Sequence, residues 1–275
     1  MNELGAAATL CRRPSNMLVA VVAAVVIAAC GVNNQSASHA PTALSVFAAS
    51  SLRDVMAEAA SAYGDVSGIQ IEVSTDGSTA LRVQIQQGAK PDVFLSADTK
   101  NPDLLLAGGL VDGTVVPFAR NGLAIIVPRD NPAGIRTAAD LGRAGVKVIA
   151  AGENVPISDY AAQLLEQLAT APGSGSGFAA AYAANVVSRE DNVAAVVAKI
   201  ELGEGDVAIV YASDAAASKD VLVIPLPRGI AVLATYAGLV PRTADHPSDG
   251  HAFLDWVTGS AGQQLLARFG FMPRS

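Results

Sequence analysis

The spacing of apolar residues changes period at Ser50. Leu44 to Ala49 form a short, nearly continuous apolar run, which predicts a strand buried on both faces of a parallel sheet. Beyond it, Leu52, Val55, Met56, Ala59, Ala60 and Tyr63 recur at the spacing of one face of an amphipathic helix. A strand therefore feeds directly into a helix whose start carries Ser50 and Ser51. The unpaired N–H groups and positive dipole end of such a start attract anions. Ser51 also has the ordinary role of an N-cap open to it.

The same alternation continues down the chain. Gln70–Ser74 reads as a strand, followed by Asp76-Gly77-Ser78-Thr79 and a helix carrying Leu81 and Ile85, which Gly88 and Pro91 end. Asp92–Ala97 is a third strand, Asn101–Ala107 a helix, and Leu123–Val127 and Val146–Ala150 are further buried strands. Pro156 opens a helix through Leu168, and Thr170–Gly177 is a turn-rich surface loop. Val193, Val196, Val197 and Ile200 mark another helix, and Asp206–Tyr211 a strand. Ile230–Val240 is an apolar run long enough to pass between two lobes. Phe253–Phe269 is a closing helix interrupted at Gly259, with Trp256 in the core. The pattern predicts parallel α/β layers, and a body of about 43–275 has the length for two modest lobes.

The first forty residues follow other rules. Arg12 and Arg13 precede an apolar run from Met17 to Ala29, whose 13 residues fall short of a bilayer span. A basic start, a short apolar segment and small residues at the end make an export signal over 1–29. Ile27-Ala28-Ala29-Cys30 resembles a bacterial lipobox, in which the cysteine is lipidated and becomes the mature N-terminus. Residues 30–42 are then a polar tether holding the body to the outer face of the cell membrane by a lipid anchor. Cys11 lies in the removed segment, which leaves one cysteine and no internal disulfide. Loss of Met1–Ala29 removes Glu3, Arg12 and Arg13 and moves the net charge from −7 to −8. So acidic a chain is a poor partner for nucleic acid, and any bound anion has to be held by local dipoles.

Four helix starts now share one chemistry. Ser51 and Ser78 each follow a strand, Ile157-Ser158 follow Pro156 at an N1 position, and Asp191-Asn192 open the Val193 helix. A carboxylate would repel an anion, so the Asn192 amide rather than the Asp191 side chain is expected to face it. An anion without protons offers acceptors only, and hydroxyls with helix-start N–H groups offer donors.

The motifs VFAASSLRDVM, STDGSTALRVQIQQGAKPDVFLSAD, NVPISDYA, EDNVAAV, VAIVYASDAAASKDV and the terminal RFGF together resemble the periplasmic molybdate-binding proteins of ABC importers, over 44–272. The resemblance implies a type II periplasmic-binding-protein fold, two α/β lobes joined by two crossing segments: 43–121 with 233–275, and 122–232. It implies an oxyanion, molybdate or tungstate, bound by Ser51, Ser78, the main-chain N–H groups of Ile157 and Asn192, and Tyr211. It further implies a monomer that delivers its cargo to an ABC permease and its ATPase, with no cofactor, no catalytic residue and no metal apart from the molybdenum of the oxyanion. Where the family often has small residues after Val-Pro, and an apolar one at position 192, this chain has Ile157-Ser158-Asp159 and Asn192.

Two other readings define what has to be tested. A receptor for sulfate or another tetrahedral oxyanion would use the same donors. A serine hydrolase would need Ser51 or Ser78 beside His246 or His251 and an aspartate. The chain has no G-x-S-x-G elbow, its third histidine (His39) lies in the tether, and His246 reads as a solvated loop residue.

Overall fold

A computed structural model describes residues 43–274 except Pro172 and Ser176. The export signal, Cys11, Cys30, His39 and the tether lie outside the described residues. Among those described, the elements run β1 (Ala43–Ala49), α1 (Arg53–Ser67), β2 (Gln70–Asp76), α2 (Ser78–Gln86), β3 (Val93–Ser96), α3 (Lys100–Ala107), β4 (Val111–Pro128) and β5 (Val148–Ala151). They continue with α4 (Pro156–Ala169), α5 (Phe178–Asn185), β6 (Val186–Glu190), α6 (Val193–Glu201), β7 (Val207–Tyr211) and α7 (Ala212–Ala217). The last are β8 (Val221–Ile224), β9 (Leu233–Pro241), α8 (Pro247–Thr258) and α9 (Ser260–Arg268). Short 3₁₀ turns cover Ser50–Leu52 and Ala138–Gly142.

The strands pair in the order β2-β1-β3-β9-β4-β7-β5-β6, with β8 also on β4. The expected parallel layers are present at both ends, in β2-β1-β3 and in β7-β5-β6. The middle departs from expectation, because β9 is antiparallel to both β3 and β4, and β4 is antiparallel to β7 and β8. β4 accounts for this. Its first part, Val111 to Gly122, pairs with β9, and from Leu123 it pairs with β7 and β8. One antiparallel strand thus bridges the two halves of the sheet. Its opening half was not legible as a strand, since Gly113, Pro117 and charged residues break the apolar pattern. The pairing absorbs them as register shifts at Asp112/Val116 and Pro117/Ala119, with Gly113 at φ +82°.

Helix α1 buries Val55, Met56, Ala59 and Tyr63 with Leu52 just before it, the stripe predicted from spacing except Ala60, which is half-buried at its edge. Trp256 is only partly buried. Its ring stacks on Phe253 at 6.1 Å and meets Tyr63 edge-on at 5.5 Å, so it closes the core from its rim. The closing helix starts earlier than expected, at Pro247, and is two helices broken at Gly259, where ψ is 175°. His246 is not a free loop residue, because its N–H donates to the buried Asp92 carboxylate at 2.7 Å and its ring lies 3.4 Å from the same group.

Two in-register terminations position everything that follows. β1 and β2 run parallel and end together, Ala49 opposite Asp76, so the Ser51 and Ser78 turns emerge side by side. β5 and β6 do the same, Ala151 opposite Glu190, and the Gly152 N–H donates to the Glu190 carbonyl at 2.8 Å. The starts of α4 and α6 are therefore also neighbours. Carboxyl ends of parallel strands are where open α/β sheets bind ligands.

Candidate oxyanion-binding site

The two pairs of helix starts face each other. A Cβ placed on Gly77 would lie 2.7 Å from the Asp191 carbonyl, so these two backbones approach as closely as glycine permits. Thr79 Oγ1 donates to the Asn154 carbonyl at 2.5 Å, Asn192 Nδ2 to Asp76 Oδ1 at 3.2 Å, and Lys100 Nζ pairs with Asp159 at 3.0 Å. Between the helix starts lies a small cavity, and Ser51, Ser78 and Tyr211 line it together with Val155, Pro156 and Val193. Its described lining carries no charged side chain.

The polar groups differ in how far they are already committed. Ser78 is 1% exposed and is the first residue of α2. Its Oγ accepts from the Ala97 N–H at 3.1 Å. A backbone N–H can only donate, so that bond occupies a lone pair and leaves the Ser78 proton free. Ser51 does not cap α1. The residue at the cap is Leu52, and Ser51 Oγ lies 2.8 Å from the Tyr236 hydroxyl. Tyr211 ends β7 with its side chain 1% exposed, and its hydroxyl is buried without a hydrogen-bond partner among the described residues. Unpaired buried hydroxyls are uncommon and costly, roughly 1–3 kcal/mol each. Burial also pushes the Tyr211 phenol well above its ordinary range, so it stays a neutral donor.

Ile157 and Asn192 do not line the cavity themselves; their neighbours Pro156 and Val193 do. Ile157 sits in the first turn of α4 with its side chain in the core, where main-chain N–H groups have no intrahelical acceptor. The Asn192 side chain departs from expectation. Its Oδ1 accepts from the Ala195 N–H at 3.0 Å as the N-cap of α6, and its Nδ2 donates to Asp76. That amide is spent on holding the helix start, which leaves only the main chain of residue 192 for an anion.

Sequence reasoning placed Asn121 and Tyr236 only in the crossing segments and did not find their side chains next to the site. Both are fully buried, Tyr236 on β9 and Asn121 on β4 where the strand changes partners. Their one signal was polarity inside apolar strand runs. As for a hydrolase, Ser51 and Ser78 bond to Tyr236 and Ala97, whereas His246 bonds to Asp92 and His251 to Asp112 at 3.3 Å. Neither serine is joined to a histidine among the described residues.

A family model described as "Bacterial extracellular solute-binding protein" matches residues 44–272. The chain belongs to that family. It is 32% identical over 264 residues to the molybdate-binding protein ModA of Mycobacterium tuberculosis, covering 94% of this chain and 97% of that one. Among solved structures, the substrate-binding domain of a putative molybdenum ABC transporter from Clostridium difficile superposes with a TM-score of 0.62 at 25% identity, covering 84% of this chain and 99% of that one. The sulfate-binding protein SubI of Mycobacterium tuberculosis superposes at 0.74 with 20% identity, over 84% and 87% of the two chains, which speaks for the fold alone. No helix among the described residues is long and apolar enough to cross a membrane.

Proposed function

We propose that this solute-binding protein captures molybdate outside the cytoplasm for an ABC importer. The observation that carries the reading is the buried Tyr211 hydroxyl, unpartnered beside two serine hydroxyls in a cavity without charged lining. Such a cavity offers donors to an acceptor-only anion and leaves no fixed charge stranded when empty. The relationship to ModA supports molybdate as the anion. Ser51, Ser78 and Tyr211 donate from side chains, and the Ile157 and Asn192 main-chain N–H groups complete the set. Tungstate, which is nearly the same shape, is bound as well.

Residues 43–121 with 233–275 form one lobe and 122–232 the other, and closure brings the Thr79–Asn154 and Asp76–Asn192 bonds together. The hinge lies near Asn121-Gly122 and within 231–236. A ligand can drive closure only by binding the closed form better than the open one. The closed outline is what an ABC permease with its ATPase reads, and the receptor acts as a monomer anchored to the membrane through lipidated Cys30.

Calorimetric titration of the body with molybdate, tungstate, sulfate and phosphate tests the reading. Molybdate and tungstate bind tightly, and sulfate and phosphate weakly or not at all. Preference for sulfate would replace molybdate with the other oxyanion at the same site. Small-angle scattering shows contraction on adding molybdate; tight binding at unchanged radius would remove the closure mechanism and leave the ligand in place.

A further inference from the structure

Ser51 has one proton, and an anion benefits only if that proton points at it. Its sole described partner is the Tyr236 hydroxyl at 2.8 Å, and a pair of hydroxyls can point either way. The surroundings of Tyr236 decide the direction. Its ring is clamped edge-on by Phe118, Tyr211 and Phe271 at centroid distances of 6.1, 5.5 and 5.4 Å, and its side chain is fully buried. Asn121 Nδ2 lies 3.4 Å from the Tyr236 hydroxyl and 2.7 Å from Ser213 Oγ.

The Asn121 amide is itself oriented. Its Oδ1 faces the Ser213 N–H at 3.4 Å, a group that can only donate, so the NH₂ side must face Tyr236. An amide NH₂ can only donate as well. Tyr236 Oη therefore accepts from Asn121, and the phenol proton is left for Ser51 Oγ. Burial pushes the Tyr236 phenol well above its ordinary range, so that proton is always present. Ser51, accepting from Tyr236, is left with its own O–H to donate.

We infer that Asn121 and Tyr236 are positioning residues that make Ser51 an obligate donor to the anion, and so set the preference for fully deprotonated oxyanions. This rests on the assignment of Ser51 as a ligand. Ser78 reaches the same state by another route, through the Ala97 N–H. The chain of bonds runs from the end of β1 through β9 and β4 to α7. It crosses the point where β4 exchanges β9 for β7. Without Tyr236, Ser51 Oγ could rotate and accept a proton, as from hydrogen phosphate.

The test is a double-mutant cycle on the full body with molybdate, using Ser51→Ala, Tyr236→Phe and the pair. Ser51→Ala weakens binding, Tyr236→Phe weakens it by roughly 10-fold, and the pair is no weaker than Ser51→Ala alone. Competition by phosphate, at a pH where it is the hydrogen phosphate dianion, gains on molybdate in Tyr236→Phe but not in Tyr211→Phe. A merely structural role for Tyr236 would give additive losses and an unchanged selectivity ratio, and either result overturns the inference. If Tyr236→Phe does not fold, Asn121→Ala replaces it with the same expectations. If Ser51→Ala itself leaves molybdate affinity intact, the assignment of Ser51 fails first and takes the inference with it. A normal Ser51 effect with additive Tyr236→Phe overturns the inference alone.

Discussion

Replacing Tyr211 by Phe changes ligand-free stability and molybdate binding in opposite directions. The hydroxyl is buried and unpartnered, while the ring packs edge-on against Tyr236 at 5.5 Å and Tyr160 at 6.5 Å. Phenylalanine keeps those contacts and removes a group whose unsatisfied burial costs roughly 1–3 kcal/mol. The ligand-free variant therefore melts at or above the wild-type temperature. Binding falls, because a hydrogen bond to a charged group is worth about 1.5–3 kcal/mol, a loss of roughly 10- to 150-fold in affinity. At saturating molybdate the ligand's contribution to stability drops by the same amount. With about 2–4 °C per kcal/mol for a body of this size, the molybdate-induced rise in melting temperature shrinks by roughly 3–12 °C. Thermal melts with and without molybdate, together with calorimetric titration, measure both halves. Unchanged affinity would show that the Tyr211 hydroxyl does not face the anion. A ligand-free variant that melts well below wild type would show that the hydroxyl has a partner after all.

Three further outcomes follow from other parts of the molecule. Gly77→Ala sets a methyl 2.7 Å from the Asp191 carbonyl, a backbone atom that cannot rotate away, so molybdate affinity falls while the ligand-free melt changes little; an unaltered titration would separate that approach from the bound form. Asp214 is raised from 3.8 to about 7, chiefly by burial, against the Tyr211 N–H that it accepts. Its protonated form is thus favoured by folding: the stability it contributes is complete below about pH 4 and is lost as the pH rises to about 7. Denaturant unfolding across that range shows the decline and Asp214→Asn flattens it, whereas identical profiles would remove Asp214 as the cause. Cys30→Ala abolishes lipidation, and detergent partitioning of the full chain then shows loss from the membrane fraction; a variant processed and retained like the wild type would exclude the anchor.

Much of this site was legible because it is built from local patterns. A buried apolar run followed by a 3.6-residue period announces a strand feeding a helix, and the residues at that junction can be read directly. Ser51 and Ser78 were singled out in this way and Tyr211 through the family resemblance, and the fold brings the three to one cavity. Pro156 likewise marked the start of α4. The elements that were missed carry weak local signals. α5 is alanine-rich with no clear apolar face, α7 and β8 are short, and the first half of β4 is broken by glycine, proline and charge.

Sequence alone determined the alternation of strands and helices, the small and hydroxylic character of their junctions, and so the kind of ligand that could be held. Tertiary structure decided which junctions meet, because β1 with β2 and β5 with β6 end in register across long separations in the chain. It also decided which polar groups remain available. The Asn192 amide reads the same in sequence whether it faces a ligand or caps a helix, and only the geometry at Ala195 and Asp76 commits it. Tyr236 and Asn121 lie 115 positions apart, and nothing in either local sequence says that one donates to the other. A hydrogen bond has a direction that its partners impose, and those partners are brought together only by the folded chain.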